Sequence, residues 1–118
     1  MRVISVIIIL AALVSPFGCA SVYPPIDTSA EDLQTLHTQA ALGDAKAQSR
    51  LGLMYLDGLG GLPNNLVKAH LWLSMAVTQG NHLSAVERDK VAIKMTPAQI
   101  AEAQQLARRC QAQQFKGC

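Results

Sequence analysis

The chain has 118 residues, which is the length of a single domain. Half of the residues are hydrophobic (50%), 15% are charged and 4% are aromatic, and the formal net charge is +2. This balance lacks the basic footprint of a nucleic-acid-binding protein, and the low charge excludes a highly charged disordered tail. We therefore expect no nucleic-acid partner.

The N-terminal segment has the organisation of an export signal. Arg2 precedes an apolar run of about a dozen residues, and Pro16 and small residues follow it. The run is shorter than the ~20 residues that span a bilayer comfortably, so a signal is favoured over a permanent transmembrane anchor. We assign residues 1–18 to a signal peptide and expect the mature chain to lie outside the cytoplasm.

Two ways of processing this signal stay open. Gly18-Cys19 resembles the end of a bacterial lipobox, in which the Cys is lipid-modified and becomes the first mature residue. The alternative is ordinary cleavage after Ala20, at a site with small residues. We favour lipidation of Cys19 because the Val-Tyr-Pro-Pro sequence that follows is typical of an extended tether, which we place at residues 19–29. With no Asp after the Cys, the resemblance implies the outer membrane, and membrane contact only through the lipid or the signal.

Cys110 and Cys118 form an even pair once Cys19 is lipidated, and an oxidising compartment favours a disulfide between them. A disulfide that closes so short a loop stabilises a fold by about 2–3 kcal/mol. A metal site is disfavoured because no His or acidic residue lies nearby, and a redox centre because the spacing is not Cys-x-x-Cys. We therefore predict a structural disulfide.

Apolar residues at helical spacing predict an all-α chain with five helices after the signal. The third predicted helix, from Leu66 to Gln79, is apolar almost all round, so it must be packed between neighbours. Helix boundaries are indicated by residues that accept hydrogen bonds from free N–H groups. The predicted N-caps, in chain order, are Ser29, Asp44, Asn65, Asn81 and Thr96.

The last two helices complete a domain that we place at residues 30–111, before a C-terminal tail at 112–118. The fourth helix is expected to turn Leu83, Val86 and Ile93 inward and to carry residues 87–90 on a solvated face. The fifth begins at a capping box, Thr-Pro-Ala-Gln, with Pro at the first helical position. Its predicted inward stripe consists of Ile100, Ala103, Ala107 and Cys110.

Residues 45–60 and 65–81 together resemble a Sel-one-like repeat, which belongs to the tetratricopeptide superfamily. The elements Leu-Gly-x-Met-Tyr, Gly-x-Gly, Lys-Ala-x-x-Trp and Ala-x-x-x-Gly all stand at family spacing. The resemblance implies an α/α solenoid of antiparallel helix pairs, with residues 31–43 similar to the second helix of a preceding, degenerate repeat. The residues that carry the repeat motif are Leu51, Gly52, Tyr55, Gly58, Gly60, Ala69, Trp72, Ala76 and Gly80.

The same resemblance implies an interaction scaffold rather than an enzyme. Paired helices of this family form a groove that binds a protein or peptide, and extracytoplasmic members are often linked to envelope assembly or stress. Stability normally needs about three repeats, so the flanking helices and the predicted disulfide are expected to act as caps. The alternative is a small disulfide-stapled structural subunit that self-associates and fills its own groove.

No group of residues predicts catalysis, a cofactor or a metal site. The three histidines, His37, His70 and His82, lie in separate helical regions, with no pair at i, i+3 or i+4. No Ser or Cys stands with a His and an acid at a catalytic spacing. His70 is the candidate groove residue because it faces away from the apolar positions of its helix, although a solvated position is the favoured interpretation.

Overall fold

The computed structural model describes residues 30–118. The signal peptide, the tether and Cys19 therefore lie outside the described residues. Within the described range the chain is helical and contains no strand, as predicted. The five helices are α1 (Ala30–Ala41), α2 (Ala45–Asp57), α3 (Leu66–Thr78), α4 (Leu83–Ile93) and α5 (Pro97–Ala112).

Three helices begin at the predicted cap residues. The side chains of Asp44 and Asn65 accept the N–H of the third helical residue at 2.8 and 3.0 Å. Thr96 accepts the N–H of Gln99 at 3.2 Å, and the Gln99 side chain accepts the Thr96 N–H at 2.9 Å. These bonds pair N–H groups that the first turn of a helix otherwise leaves free, and they confirm the capping box.

The α3 helix is the centre of the fold. It packs against α2, α4 and α5, whereas α1 packs on α2. An all-round apolar helix is stable only when neighbours cover it, and the predicted burial between neighbours is confirmed. The residues that α3 buries are Ala69, His70, Leu71, Trp72, Leu73, Met75 and Ala76.

The α2 and α3 helices form an antiparallel pair that is closest at Gly52. The N–H of Asn65, at the start of α3, donates to the carbonyl of Tyr55 near the end of α2 at 2.9 Å. A Cβ atom on Gly52 would lie 2.7 Å from Leu73 Cγ and 3.1 Å from the Ala69 carbonyl oxygen. Only a residue without a side chain therefore allows this approach, and Leu73 fills the space that Gly52 leaves.

The chain after α5 folds back on the body of the protein. The Phe115 N–H donates to the Cys110 carbonyl at 2.8 Å, and a disulfide joins Cys110 to Cys118, with 5.7 Å between their Cα atoms. The Phe115 ring lies 3.5 Å from the position that a Cβ of Gly43 would occupy, in the turn between α1 and α2. The C-terminal segment thus connects α5 to the turn between α1 and α2.

The predicted orientation of α4 is wrong. Leu83, Val86 and Ile93 were expected to face inward, but their exposed fractions are 81%, 55% and 85%. The side chains that α4 buries are Ser84 and Val91. A small and a β-branched residue allow α4 to lie close to the filled surface of α3, and this contact turns the larger apolar side chains to solvent.

The predicted cap of α4 is also wrong. The residue before the helix is His82 rather than Asn81, and its side chain makes no capping hydrogen bond. Because adjacent residues of a helix are about 100° apart, packing rather than a cap fixes which face of α4 is buried.

In residues 30–118, none of the helices has the length and apolarity needed to cross a membrane.

We expect Gly52→Ala to lower the free energy of unfolding by about 1–2 kcal/mol, because overpacking outweighs the gain in helix propensity. Urea denaturation of the purified protein measures the change. Ser49→Ala, one turn earlier on α2, is the control and is expected to change stability by less than about 0.5 kcal/mol. In a Leu73→Ala background, Gly52→Ala should cost less because Leu73 Cγ is gone; equal costs in the two backgrounds would contradict the assigned contact.

Candidate interaction sites

The repeat-motif residues serve the packing and the turns of the α2–α3 pair. Gly58, Gly60 and Gly80 have φ angles of 67°, 66° and 98°, in the left-handed region that glycine adopts without strain. The others are buried in the contact between the two helices. These buried motif residues are Leu51, Gly52, Tyr55, Ala69, Trp72 and Ala76.

Tyr55 and Trp72, the two aromatic residues of the repeat motif, contact side chains of neighbouring helices. The Lys68 ammonium lies 5.2 Å from the centroid of the Tyr55 ring, a cation–π distance. The His37 ring meets the Trp72 ring edge-on, with centroids 6.2 Å apart and an interplanar angle of 74°. Tyr55 and Trp72 therefore belong to the core of the repeat rather than to a ligand-binding site.

A first surface opening, which we call the α2–α4 groove, lies between α2 and α4. The two helices make little contact with each other, and the opening has a volume of about 560 Å³. Leu83 and Val86 stand exposed on its α4 side, whereas Ser84 is 1% exposed and its Oγ has no hydrogen-bond partner among the described residues. The residues that line the groove are Ser49, Leu53, Asn81, Leu83, Ser84, Val86 and Glu87.

The surface around this groove is basic. Lys46 and Arg50 are exposed on α2 and fall at i, i+4 spacing beside the groove residues of that helix. Lys90 is exposed in the last turn of α4, and Lys94 is exposed at the position that follows the helix. The carboxylate of Glu87 is paired with Lys90 at 3.0 Å, so three of the four cations keep no acidic partner in residues 30–118.

A second opening, which we call the α4–α5 cleft, lies on the other side of α4. Both α4 and α5 pack on α3 but make little contact with each other, and the cleft between them has a volume of about 490 Å³. The sequence marked His70 as a candidate groove residue, and His70 does line this cleft, but the other polar residues were missed because they lie on three helices and form no motif. The polar residues that the three helices place there include His70, Ser74, Arg88, Asp89, Gln104 and Arg108.

His70 lies at the floor of this cleft, and the favoured interpretation of a solvated His70 is wrong. It is 5% exposed, because α4 and α5 close over the face of α3 that the sequence marked as polar. Ser74 Oγ lies 3.4 Å from His70 Nδ1. Burial lowers the pKa of His70, the Arg88 guanidinium lowers it further, and the Asp89 carboxylate partly opposes them.

The charged run at residues 87–90 is only partly the solvated face that we expected. Arg88 and Asp89 line the α4–α5 cleft, joined by an ion pair of 3.6 Å between Arg88 Nε and Asp89 Oδ1. In the part of the chain that the structure describes, no group of three or more His, Cys, Asp and Glu side chains is arranged to hold a metal ion.

Antiparallel helix pairs packed side by side define this protein as an α/α solenoid. Residues 45–81, which contain α2, the glycine turn and α3, match the family model described as Sel1 repeat. The chain thus contains a Sel1 repeat, and the repeat is the one that the sequence motif indicated. Comparison with curated proteins and with solved structures found no match.

The family match agrees with the role that the geometry gives to the motif residues. Sel1 repeats are generally protein–protein interaction modules, and the family is typically non-catalytic. The motif builds the α2–α3 scaffold, and the two openings lie beside α4.

The lowered pKa of His70 predicts that the fold loses stability in mild acid. The ordinary pKa of 6.5 applies to the unfolded chain, which therefore takes up a proton that the folded protein resists. The contribution of neutral His70 to the free energy of unfolding is complete above pH 6.5. It declines as the pH falls through the lowered pKa of His70 in the folded protein. We expect the melting temperature to be lower at about pH 5.5 than at about pH 7.5.

The comparison that isolates this contribution is His70→Gln, which should reduce the difference in melting temperature between the two pH values. His37, whose pKa is lowered by burial and then by Lys68, acts in the same direction. A variant in which both His37 and His70 are replaced by Gln should therefore lose more of the pH dependence of the melting temperature than His70→Gln alone. An unchanged difference in His70→Gln would show that the buried imidazole does not govern the effect.

Proposed function

We propose that this protein is a non-catalytic interaction module of the bacterial cell envelope, anchored to the outer membrane through a lipidated Cys19, which binds a partner protein in the α2–α4 groove. The observation that carries this proposal is the groove itself: an opening of about 560 Å³ between α2 and α4, walled by exposed apolar side chains.

Apolar burial supplies the driving force for binding. Covering Leu83, which is 81% exposed, is worth about 1.5–3 kcal/mol, and covering Val86, which is 55% exposed, is worth less. An exposed apolar patch beside an opening is typical of a surface that another protein covers.

The charges around the groove define the chemistry of the partner. Lys46, Arg50 and Lys94 have no acidic partner in residues 30–118, and Glu87 is already paired with Lys90. Complementary charge favours encounter with the correct partner and disfavours a basic one. The partner segment is therefore apolar where it enters the groove and acidic at its flanks.

Two features support the location. The sequence before Gly18-Cys19 has the regions of an export signal, and the pair Gly18-Cys19 resembles a lipobox. The disulfide between Cys110 and Cys118 is the kind of bond that persists outside the cytoplasm.

A second candidate function is self-association as a structural subunit. Its support is Ile93, which is 85% exposed on α4 and lies outside the α2–α4 groove. Together with Leu83 and Val86 it extends an apolar stripe along the helix at i, i+3 and i+10. Such a stripe fits the same stripe of a second copy in a helix pair.

Photo-crosslinking in intact cells tests the groove. A photoreactive amino acid in place of Val86 is expected to give one discrete adduct with another protein, whereas the same residue in place of Gln105, exposed on α5, gives none. Adding Leu83→Asp should reduce the adduct about tenfold, because an acid in the groove opposes both the apolar contact and the acidic flanks.

Ile93→Asp is the matched control, since Ile93 is an apolar residue on the same helix and is about as exposed as Leu83. It should leave the heterologous adduct unchanged. An adduct with the mass of two copies that Ile93→Asp abolishes would support the structural subunit instead. Formation of the adduct to the same extent in Leu83→Asp would contradict binding in the groove.

The intact mass of the protein isolated from the envelope tests the anchor. We expect the mass of a chain that begins at an acylated Cys19 and has lost two hydrogen atoms through the bond between Cys110 and Cys118. Replacing Cys19 by Ser should shift the protein from the membrane fraction to the soluble fraction. A mass that begins at Ser21 without acyl groups would contradict lipidation.

A further inference from the structure

The α4–α5 cleft is a second candidate binding site, separate from the α2–α4 groove. Its volume of about 490 Å³ falls in the range of small ligand sites, about 300–1,000 Å³. The cleft exists because α4 and α5 each pack on α3 and leave the space between them unfilled. Its floor carries a buried imidazole, and its two walls carry guanidinium groups.

We propose that the α4–α5 cleft binds a carboxylate of a peptide, held between the guanidinium groups of Arg88 and Arg108 above His70. Arg88 comes from α4 and Arg108 from α5, so the two cations face one opening from opposite walls. A guanidinium presents its N–H groups in a planar fork that matches the two oxygens of a carboxylate.

The ion pairs within the protein leave these donors available. Asp89 contacts the Nε atom of Arg88 at 3.6 Å, and the guanidinium of Arg108 has no ion pair or hydrogen bond within residues 30–118. Two guanidinium groups against one carboxylate give the cleft a surplus of positive charge. An anion that enters therefore lowers the repulsion between the two arginines.

The neutral polar groups favour a peptide over a simple inorganic anion. The amides of Gln104 and Gln111, and the hydroxyl of Thr78, line the same cleft. Side-chain amides can both donate to peptide carbonyls and accept from peptide N–H groups.

The buried His70 sets the depth of the site. It is 5% exposed and its polar contact within the protein is Ser74 Oγ, at 3.4 Å from Nδ1. Apolar side chains of Met75, Ile100 and Ala107 line the same cleft. A side chain next to the bound carboxylate can therefore pack on an apolar surface while the oxygens reach the guanidinium groups.

Binding of three short peptides to the full chain in detergent tests this site. The probes are fluorescein-labelled pentapeptides of Ala and Leu: one with a free C-terminal carboxylate, one amidated, and one amidated with a central Glu. Fluorescence anisotropy measures their affinity, and the imidazole NMR signals of His70 report where they bind. We expect at least one carboxylate-bearing peptide to bind and to shift the His70 signals, and the neutral amide not to bind.

The three probes distinguish the source of the carboxylate. Binding of the free acid alone assigns the cleft to a chain terminus, binding of the Glu peptide alone assigns it to an acidic side chain, and binding of both supports recognition of either. Equal binding of the neutral amide would overturn the proposal. Binding of inorganic phosphate without binding of either carboxylate peptide would overturn it as well.

Adjacent arginines on α5 provide a matched control. Arg108→Gln and Arg88→Gln should each weaken binding about tenfold, because each removes a charge-assisted hydrogen bond. Arg109→Gln should leave binding unchanged, since Arg109 lines a different depression beside Cys118. Because these side chains are not buried, circular dichroism is expected to show an unaltered fold in all three variants. Equal loss of affinity in Arg109→Gln would show a general charge effect and contradict the site.

Discussion

The close contact of α2 with α3 at Gly52 is the constraint on which the rest of the structure depends. With no side chain at position 52, Leu73 and the backbone at Ala69 approach α2 within distances that a Cβ would not permit. Tight interdigitation of this kind is stabilising because dispersion contacts are many and short-ranged. Once α2 covers one face of α3, the other faces of α3 are left for α4 and α5.

The position of α3 at the centre explains why both candidate sites lie beside α4. The α4 helix rests on α3 through Ser84 and Val91 and makes little contact with α2 or α5. A groove therefore remains on one side of α4 and a cleft on the other. The groove is apolar and lies beside basic residues, whereas the cleft is polar and contains a buried imidazole, so the two openings differ in chemistry.

A single repeat must close its own ends, because it has few neighbours to cover its faces. At one end α1 packs on α2, and Gln48 Nε2 donates to the Ala40 carbonyl at 3.0 Å to connect them. At the other end the disulfide between Cys110 and Cys118 holds the last turn, and Phe115 reaches the turn between α1 and α2. The C-terminal segment thus packs against the turn between the first two helices.

Local patterns in the sequence determined most of the fold. Asp44, Asn65 and the capping box at Thr96 mark helix starts because they satisfy N–H groups within one turn. The glycine turns and the all-apolar third helix likewise identified the Sel1 repeat and the central position of α3. The tertiary structure alone decided the orientation of α4 and the burial of His70. Both depend on how closely α4 and α5 approach α3, and that distance is set by side chains on other helices rather than by the periodicity of either segment.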